Sequence, residues 1–315
     1  MLTQCCHVTL VLHSVILLKM ATAAVACLAF AVLLARASGV AMQGCYVDIP
    51  ASDLPSLVKN SLPKTPLQQL PANFDWRNVN GVMFVSPVTN QFLPSPCGSC
   101  WAHAVVGALT DRLIIATKAL KPVVRLSAQV LLNAGPMKGF GSCAGGNDAL
   151  AYQFIHDYGI TDETCMPYKG VDFSTWGELP LQDTMCWQCN RNGTCGFVNA
   201  SKTYVSEYGT LKGEAEMMNE IYNRGPIACS LFAHSPAFEN YKSGIITDDR
   251  QYTSTTHVVS ITGWGVDGTT GMKFWVGRNS FGTTWGEDGW FRLQRGTNCL
   301  DIENHPCAWA VPLVP

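Results

Sequence analysis

An α+β fold is predicted, on three observations. An apolar pattern at helical spacing opens after Cys97 and runs to about Lys118, with Ala102, Val105, Val106, Leu109, Leu113 and Ala116 in one stripe. Asp111, Arg112 and Lys118 fall largely off that stripe. Four short β-prone runs occupy the last third, at Ser230 to Phe232, Val258 to Gly263, Lys273 to Arg278 and Trp290 to Leu293, separated by Gly, Asp and Thr turns. With 315 residues, 47% hydrophobic and 14% charged, the chain can bury a core large enough for two lobes.

The first forty residues read as a secretory signal. Val8 to Leu18 and Ala21 to Leu34 are apolar runs separated by Lys19-Met20, and Ala35-Arg36-Ala37 supplies small residues at cleavage spacing. Residues 1–37 are therefore assigned to a signal peptide, with Met20 as an alternative start. A signal anchor is the competing reading, although each run is shorter than the roughly 18 to 20 residues a bilayer needs. Cys5, Cys6 and Cys27 would leave with the signal. Residues 38–69 carry four scattered prolines and little periodicity, too short a piece to build a core. By composition they read as a linker.

Ser99 is a plausible helix N-cap, which places Cys100 in the first turn, where unpaired N–H groups and the positive dipole end favour a thiolate. The same spacing, Cys97-Gly-Ser-Cys100, also suits a redox or zinc pair. Downstream, His257 stands in Thr-His-Val-Val-Ser-Ile-Thr-Gly-Trp-Gly and Asn279 in Val-Gly-Arg-Asn-Ser-Phe-Gly. Upstream, Gln91 lies in Val-Thr-Asn-Gln.

Together these residues resemble the papain-like cysteine proteases, whose Cys is followed by His and Asn at about 130–150 residues. The longer separations here imply insertions. Within that family the resemblance is to the cathepsin X branch, also called cathepsin Z, whose members are lysosomal carboxypeptidases. It rests on Asp75-Trp76-Arg77-Asn78-Val79, His103 after Trp101-Ala102, Gly145-Gly146-Asn147-Asp148, Asp162-Glu163-Thr164-Cys165, and a spacing from Gln91 to Cys100 that holds an inserted mini-loop. The resemblance implies a papain-like two-lobe fold: a helical left lobe over about 81–195, and an antiparallel β-barrel right lobe over about 196–315 plus 70–80, with the cleft between them. A second helical pattern around Leu126 to Leu132 falls in the first lobe. Met217 to Tyr222, ended by Gly225-Pro226, reads as a short helix in the second.

The resemblance also implies roles. Cys100 would be the nucleophile, His257 its general acid and base, Asn279 the residue orienting the imidazole, and Gln91 an oxyanion donor. Phe281 and Trp285 would shield the His257 to Asn279 bond, Phe281 standing where relatives carry Trp. Gly145 and Gly146 would let a substrate backbone lie against the cleft, or simply form a tight turn. Phe92, Leu93 and Pro94 fill the mini-loop, and Phe92 replaces a His that can bind a substrate's terminal carboxylate. Gly44-Cys45-Tyr46 resembles a propeptide start whose Cys pairs with the catalytic Cys100, which implies a short propeptide over 38–69 and a mature chain beginning near Leu70; a linker with an unpaired Cys is the alternative. Family positions imply the disulfides Cys97–Cys143, Cys165–Cys186, Cys189–Cys195 and Cys229–Cys307, leaving Cys299 free. A zinc site at Cys186, Cys189 and Cys195 is the alternative. His103 would point into the lobe as a satisfied core histidine without a catalytic role.

Asn192 and Asn199 head glycosylation sequons. Fourteen cysteines suit an oxidising compartment, a lysosome, vacuole or the exterior. A net charge of −2 with no Lys/Arg block argues against nucleic acid as a partner. Peptide or protein substrates, no cofactor or metal, no membrane insertion once the signal is gone, and a monomer are expected. A broader cysteine endopeptidase, or a non-catalytic binding protein on the same fold, are the alternatives.

Overall fold

The computed structural model describes residues 44–59, 62, 65–120, 123–172 and 186–314. The signal segment, its three cysteines and the alternative start at Met20 lie outside the described residues. Among those described, no helix is long and apolar enough to cross a membrane.

The predicted central helix, α1, spans Cys100–Ala116, and every residue from Cys100 to Leu113 is buried. It packs against helices on one side and the main sheet on the other. A single apolar stripe therefore understates it. Asp111 and Arg112 are buried with the rest, because each meets partners from the sheet half, while Ala116 is exposed. The helix ends two residues before Lys118, where Lys118 and Ala119 turn left-handed at φ 53° and 54°. The second helix, α2, spans Ala128–Lys138, begins with the Ser127 hydroxyl accepting from Val130 N–H, and stops at Gly139 with φ 74°. A two-stranded ribbon, Gly141–Ser142 with Gly145–Gly146, leads into α3, Asp148–Tyr158, capped by Asn147. The helix read around Met217 is α4, Glu214–Arg224, ended by Gly225 at φ 117° and Pro226.

The main sheet has a backbone of antiparallel strands: β1 (Phe74–Asp75), β2 (Val205–Leu211), β3 (Ile227–Leu231), β4 (Ile245–Ile246), β5 (His257–Val266), β6 (Lys273–Arg278), β7 (Trp290–Gln294) and β8 (Cys307–Pro312). Their spatial order is β2-β8-β3-β5-β6-β7-β4, with β1 also on β5 and with β4 parallel to β7. The sheet is open among the described residues, so the expected barrel is corrected. Its end strands, β2 and β4, do not pair, and the two-residue β4 offers too little edge to close a ring.

Strand alternation divides the work of this sheet. Ala228, Val258, Ala308 and Ala310 face the core that holds α1, whereas their neighbours Ile227, Cys229, Val259, Cys307 and Trp309 face a second core. Small residues on the α1 side let helix and sheet approach closely. At Gly277 of β6 a Cβ would come within 2.1 Å of the Phe291 ring, so glycine is required there.

Candidate active site

Antiparallel pairing brings the key residues together. His257 opens β5, and Asn279 immediately follows β6, whose Arg278 pairs with Ser260. Residues 89–91 then run beside 280–282, through Gln91 N–H to Ser280 O at 2.8 Å and Gly282 N–H to Thr89 O at 2.9 Å. This pairing sets Asn90 opposite Phe281 and Gln91 opposite Ser280, next to Asn279. Cys100 comes from the opposite side, as the first residue of α1.

The Asn279 amide has a fixed orientation. Ser280 N–H donates to its Oδ1 at 2.8 Å, which identifies that atom as the acceptor, and His257 Nε2 lies 2.8 Å from the same oxygen. His257 Nε2 therefore carries the proton, and Nδ1 turns its lone pair towards sulfur, 3.2 Å from Cys45 Sγ. Burial pulls the imidazole down to about 4, against the Asn279 hydrogen bond, so the ring is neutral at ordinary pH. Gln91 is buried and held at both ends: Nε2 donates to Cys97 O at 3.1 Å, and Oε1 accepts from Ser280 Oγ at 2.7 Å. Nε2 keeps a second hydrogen for another acceptor. The Tyr168 hydroxyl donates to Gln91 O at 2.9 Å and lies 2.7 Å from Ser99 Oγ. Ser99 stands at the N-cap position without capping, because its backbone, at φ −103° and ψ 19°, is not in the extended region that a capping residue adopts.

Cys45 and Cys100 are joined by a disulfide, S–S 2.06 Å. Cys45, Cys100 and His257 bring their ligand atoms within 4.8 Å of one another, close enough for a metal, but both sulfurs are engaged with each other. The chain around Cys45 lies across the cleft. Cys45 N–H donates to Thr256 O at 2.7 Å on one wall. On the other, Val47 N–H donates to Gly146 O at 3.0 Å and Gly146 N–H to Cys45 O at 3.3 Å. Gly145, at φ 127°, is what permits this approach: a Cβ there would sit 3.2 Å from the Cys45 carbonyl carbon. Tyr46 is buried edge-on to His305, with ring centres 5.9 Å apart. His305 itself lies between Asp48, at 3.2 Å, and Asp301, at 3.4 Å. Below Tyr46, burial pushes the Asp148 carboxyl up to about 7, and its Oδ2 has no partner among the described residues.

The aromatic wall is continuous. Phe92 packs on Phe281 with ring centres 5.1 Å apart, Phe281 lies 4.8 Å from the His257 ring, and Trp285 meets Phe281 edge-on at 5.7 Å. Leu93 and Pro94 project to solvent. The other cysteines pair as Cys97–Cys143, Cys165–Cys186, Cys189–Cys195 and Cys229–Cys307, so no thiolate set is left for zinc at Cys186, Cys189 and Cys195. Cys299 is free and buried, its thiol pushed up to about 12 by burial. Asn192 and Asn199 are exposed. His103 differs from its expectation: Nδ1 is bonded, but Nε2 has no partner among the described residues.

Sequence reasoning missed Tyr168, Ser280, Tyr46 and His305. Tyr46 and Ser280 fall inside the stretches quoted around Cys45 and Asn279 but were given no role there, and Tyr168 and His305 sit in no motif.

Residues 70–310 match the profile of the papain family cysteine proteases, and the chain belongs to that family. It is similar to a cathepsin Z of Onchocerca volvulus, 39% identical over 257 residues that cover 78% of each chain. It is also similar to the cathepsin B-like CP2 of Giardia intestinalis, 31% identical over 78% of this chain and 75% of that one. Among solved structures, the digestive procathepsin L2 of Tenebrio molitor larval midgut superposes with a TM-score of 0.61 at 29% identity, covering 78% of this chain and 69% of its own.

Proposed function

We propose that the chain is the precursor of a cathepsin X-type cysteine carboxypeptidase, with residues 1–37 a signal, 38–69 a propeptide and 70–315 the mature two-lobe peptidase. The observation that carries this reading is the orientation of His257, with Nδ1 facing the Cys45–Cys100 sulfurs and Nε2 on Asn279. Reduction gives Cys100 a thiol beside a lone pair placed to take its proton. The resulting thiolate attacks the scissile carbonyl, Gln91 and the Cys100 N–H hold the oxyanion, and imidazolium returns the proton to the leaving amine. Water then hydrolyses the thioester, with His257 as base. The propeptide disulfide keeps the nucleophile oxidised until activation. Similarity to a cathepsin Z supports carboxypeptidase action in a lysosomal, vacuolar or secreted setting, and the exposed sequons at Asn192 and Asn199 support glycans there.

A broader endopeptidase is the second reading, favoured by Phe92, which packs on Phe281 and offers no donor to a terminal carboxylate. Exopeptidase geometry then rests on obstruction by the mini-loop. The two readings separate in a digest of one peptide with a free C-terminus beside its amidated form. Stepwise loss of single C-terminal residues supports the carboxypeptidase, and internal cleavage at equal rates in both peptides refutes it.

A further inference from the structure

Behind the His257–Asn279 pair lies a small cavity of about 10 Å³, lined by His103, Ser260, Asn279, Thr89, Val258 and Arg278 among others. Three buried polar atoms of its lining residues, His103 Nε2, Asn279 Nδ2 and Ser260 Oγ, have no hydrogen-bond partner among the described residues. Buried polar groups of native proteins are almost always paired with protein or with ordered water. The volume is about that of one water molecule, and a site this polar is one that water fills.

The proton positions are set by the surroundings. Arg125 can only donate, and its Nη2 lies 3.1 Å from Thr89 Oγ1 and 3.4 Å from His103 Nδ1. Thr89 Oγ1 is 3.2 Å from the same nitrogen. Nδ1 is therefore an acceptor, and the neutral ring carries its hydrogen on Nε2. Burial, reinforced by Arg125, keeps this imidazole uncharged. Asn279, with Oδ1 committed to His257 and Ser280, turns its NH₂ away from them. Arg278 does not compete, because its guanidinium is bound to Asp111 and Ser86.

We propose that this cavity binds one water molecule that accepts from His103 Nε2–H and Asn279 Nδ2–H and donates to Ser260 Oγ. His103 is then a positioning residue: through the water it holds the Asn279 carboxamide in the orientation that keeps His257 facing Cys100. The inference rests on the reading of His257 and Asn279 as catalytic partners.

The test uses the reduced, processed enzyme with His103→Phe, which offers no donor, and His103→Gln, whose amide restores one. His103→Phe should lower kcat by about 10- to 100-fold with KM unchanged, as expected for a misplaced catalytic group. It should also narrow the pH range over which a small thiol alkylator labels Cys100 rapidly, while His103→Gln keeps most of both. Wild-type kcat and an unchanged alkylation profile in His103→Phe would overturn the positioning role. A high-resolution crystal structure of the wild-type enzyme gives a readout that no variant's folding affects. One ordered water within hydrogen-bond distance of His103 Nε2 and Asn279 Nδ2 supports the site, and a dry cavity refutes it. Absence of peptidase activity in the reduced wild type would instead refute the catalytic reading, with the crystallographic density still deciding the water site.

Discussion

Deep in the molecule, α1 is tied to the sheet half by charge. Asp111 accepts from Ser86 N–H at 2.6 Å, Ser86 Oγ at 2.7 Å and Arg278 Nη2 at 2.8 Å. One residue on, Arg112 donates to Pro226 O, Ala310 O, Gly225 O and the Glu220 carboxylate. At its N-terminal end the same helix is tied across the cleft by the Cys45–Cys100 bond and a few backbone hydrogen bonds of residues 45–47. The deep tie has a full set of partners, and its parts are expensive to separate, because removing either member strands a buried charge. The cleft tie is made of one bond that a reductant opens and of a segment that, on the proposed reading, is cut away as a propeptide. Permanent and removable connections thus occupy the two ends of a single helix.

The largest expected effect is at the removable end. Cys45→Ala should give an uncleaved precursor that hydrolyses peptides without reductant, where the parent hydrolyses none, and a peptidase assay on the two precursors checks it. If the variant remains silent until cut, residues 44–47 block the cleft without help from the disulfide.

At the permanent end, Arg278→Met leaves Asp111 unpaired and should cost about 3–5 kcal/mol. The double variant Asp111→Leu/Arg278→Met should recover much of that loss. Urea denaturation of all three proteins measures it, and an additive double variant would show that the pair acts through separate partners.

Two buried groups give the precursor opposing pH slopes. The native pKa of His257 lies below its unfolded value, so the unfolded chain binds the extra proton between about pH 6.5 and 4, and stability falls as pH falls through that window. Asp148 has a native value raised to about 7, so its contribution is complete below its unfolded value of about 4 and is lost progressively as pH rises from there to 7. The two windows overlap between about pH 4 and 7, so the slopes largely cancel in the parent: His257→Gln should expose a fall in stability with rising pH, and Asp148→Asn a rise, each of up to about 3 kcal/mol across the window. Melting temperatures from pH 4 to 8 read both, and a variant whose pH profile matches the parent's would show that its group does not contribute.

The smallest effect is at Phe92. Phe92→His should raise the preference for a free C-terminal carboxylate over an amide about tenfold, equivalent to about 1.4 kcal/mol. Competition between the two peptides measures it. An unmodified enzyme that already discriminates strongly would require another donor.

Periodicity made α1 and the strands around Val258, Lys273 and Trp290 legible, because each repeats its pattern for several residues. The strands β2 and β8 went unread. β8 begins at a cysteine and ends at Pro312, and neither strand has an amphipathic face, since both sides of that part of the sheet meet a core. Closure of the sheet was equally out of reach, as it depends on edges far apart in sequence. At the site, Cys100, His257, Asn279 and Gln91 were visible as motifs. The contacts that orient them were not: Arg278 was visible as a charge in an apolar strand and Asp111 as one in an apolar helix, but nothing local says that they meet. Nor does sequence show that Phe92 fills space beside Phe281.

The hydrogen bonds between residues 45–47 and Gly146 have a kinetic consequence. They keep Cys45 beside Cys100 after the sulfurs part, as a tethered thiol whose effective concentration is of millimolar order, as for other short linkages. An uncut precursor in a reducing environment would flicker between open and locked forms, and any passing oxidant would relock it. If residues 38–69 are the propeptide proposed above, cutting the segment would release that resident thiol and turn a reversible switch into a ratchet. Electrons would then decide when the enzyme first opens, and proteolysis would decide whether it stays open.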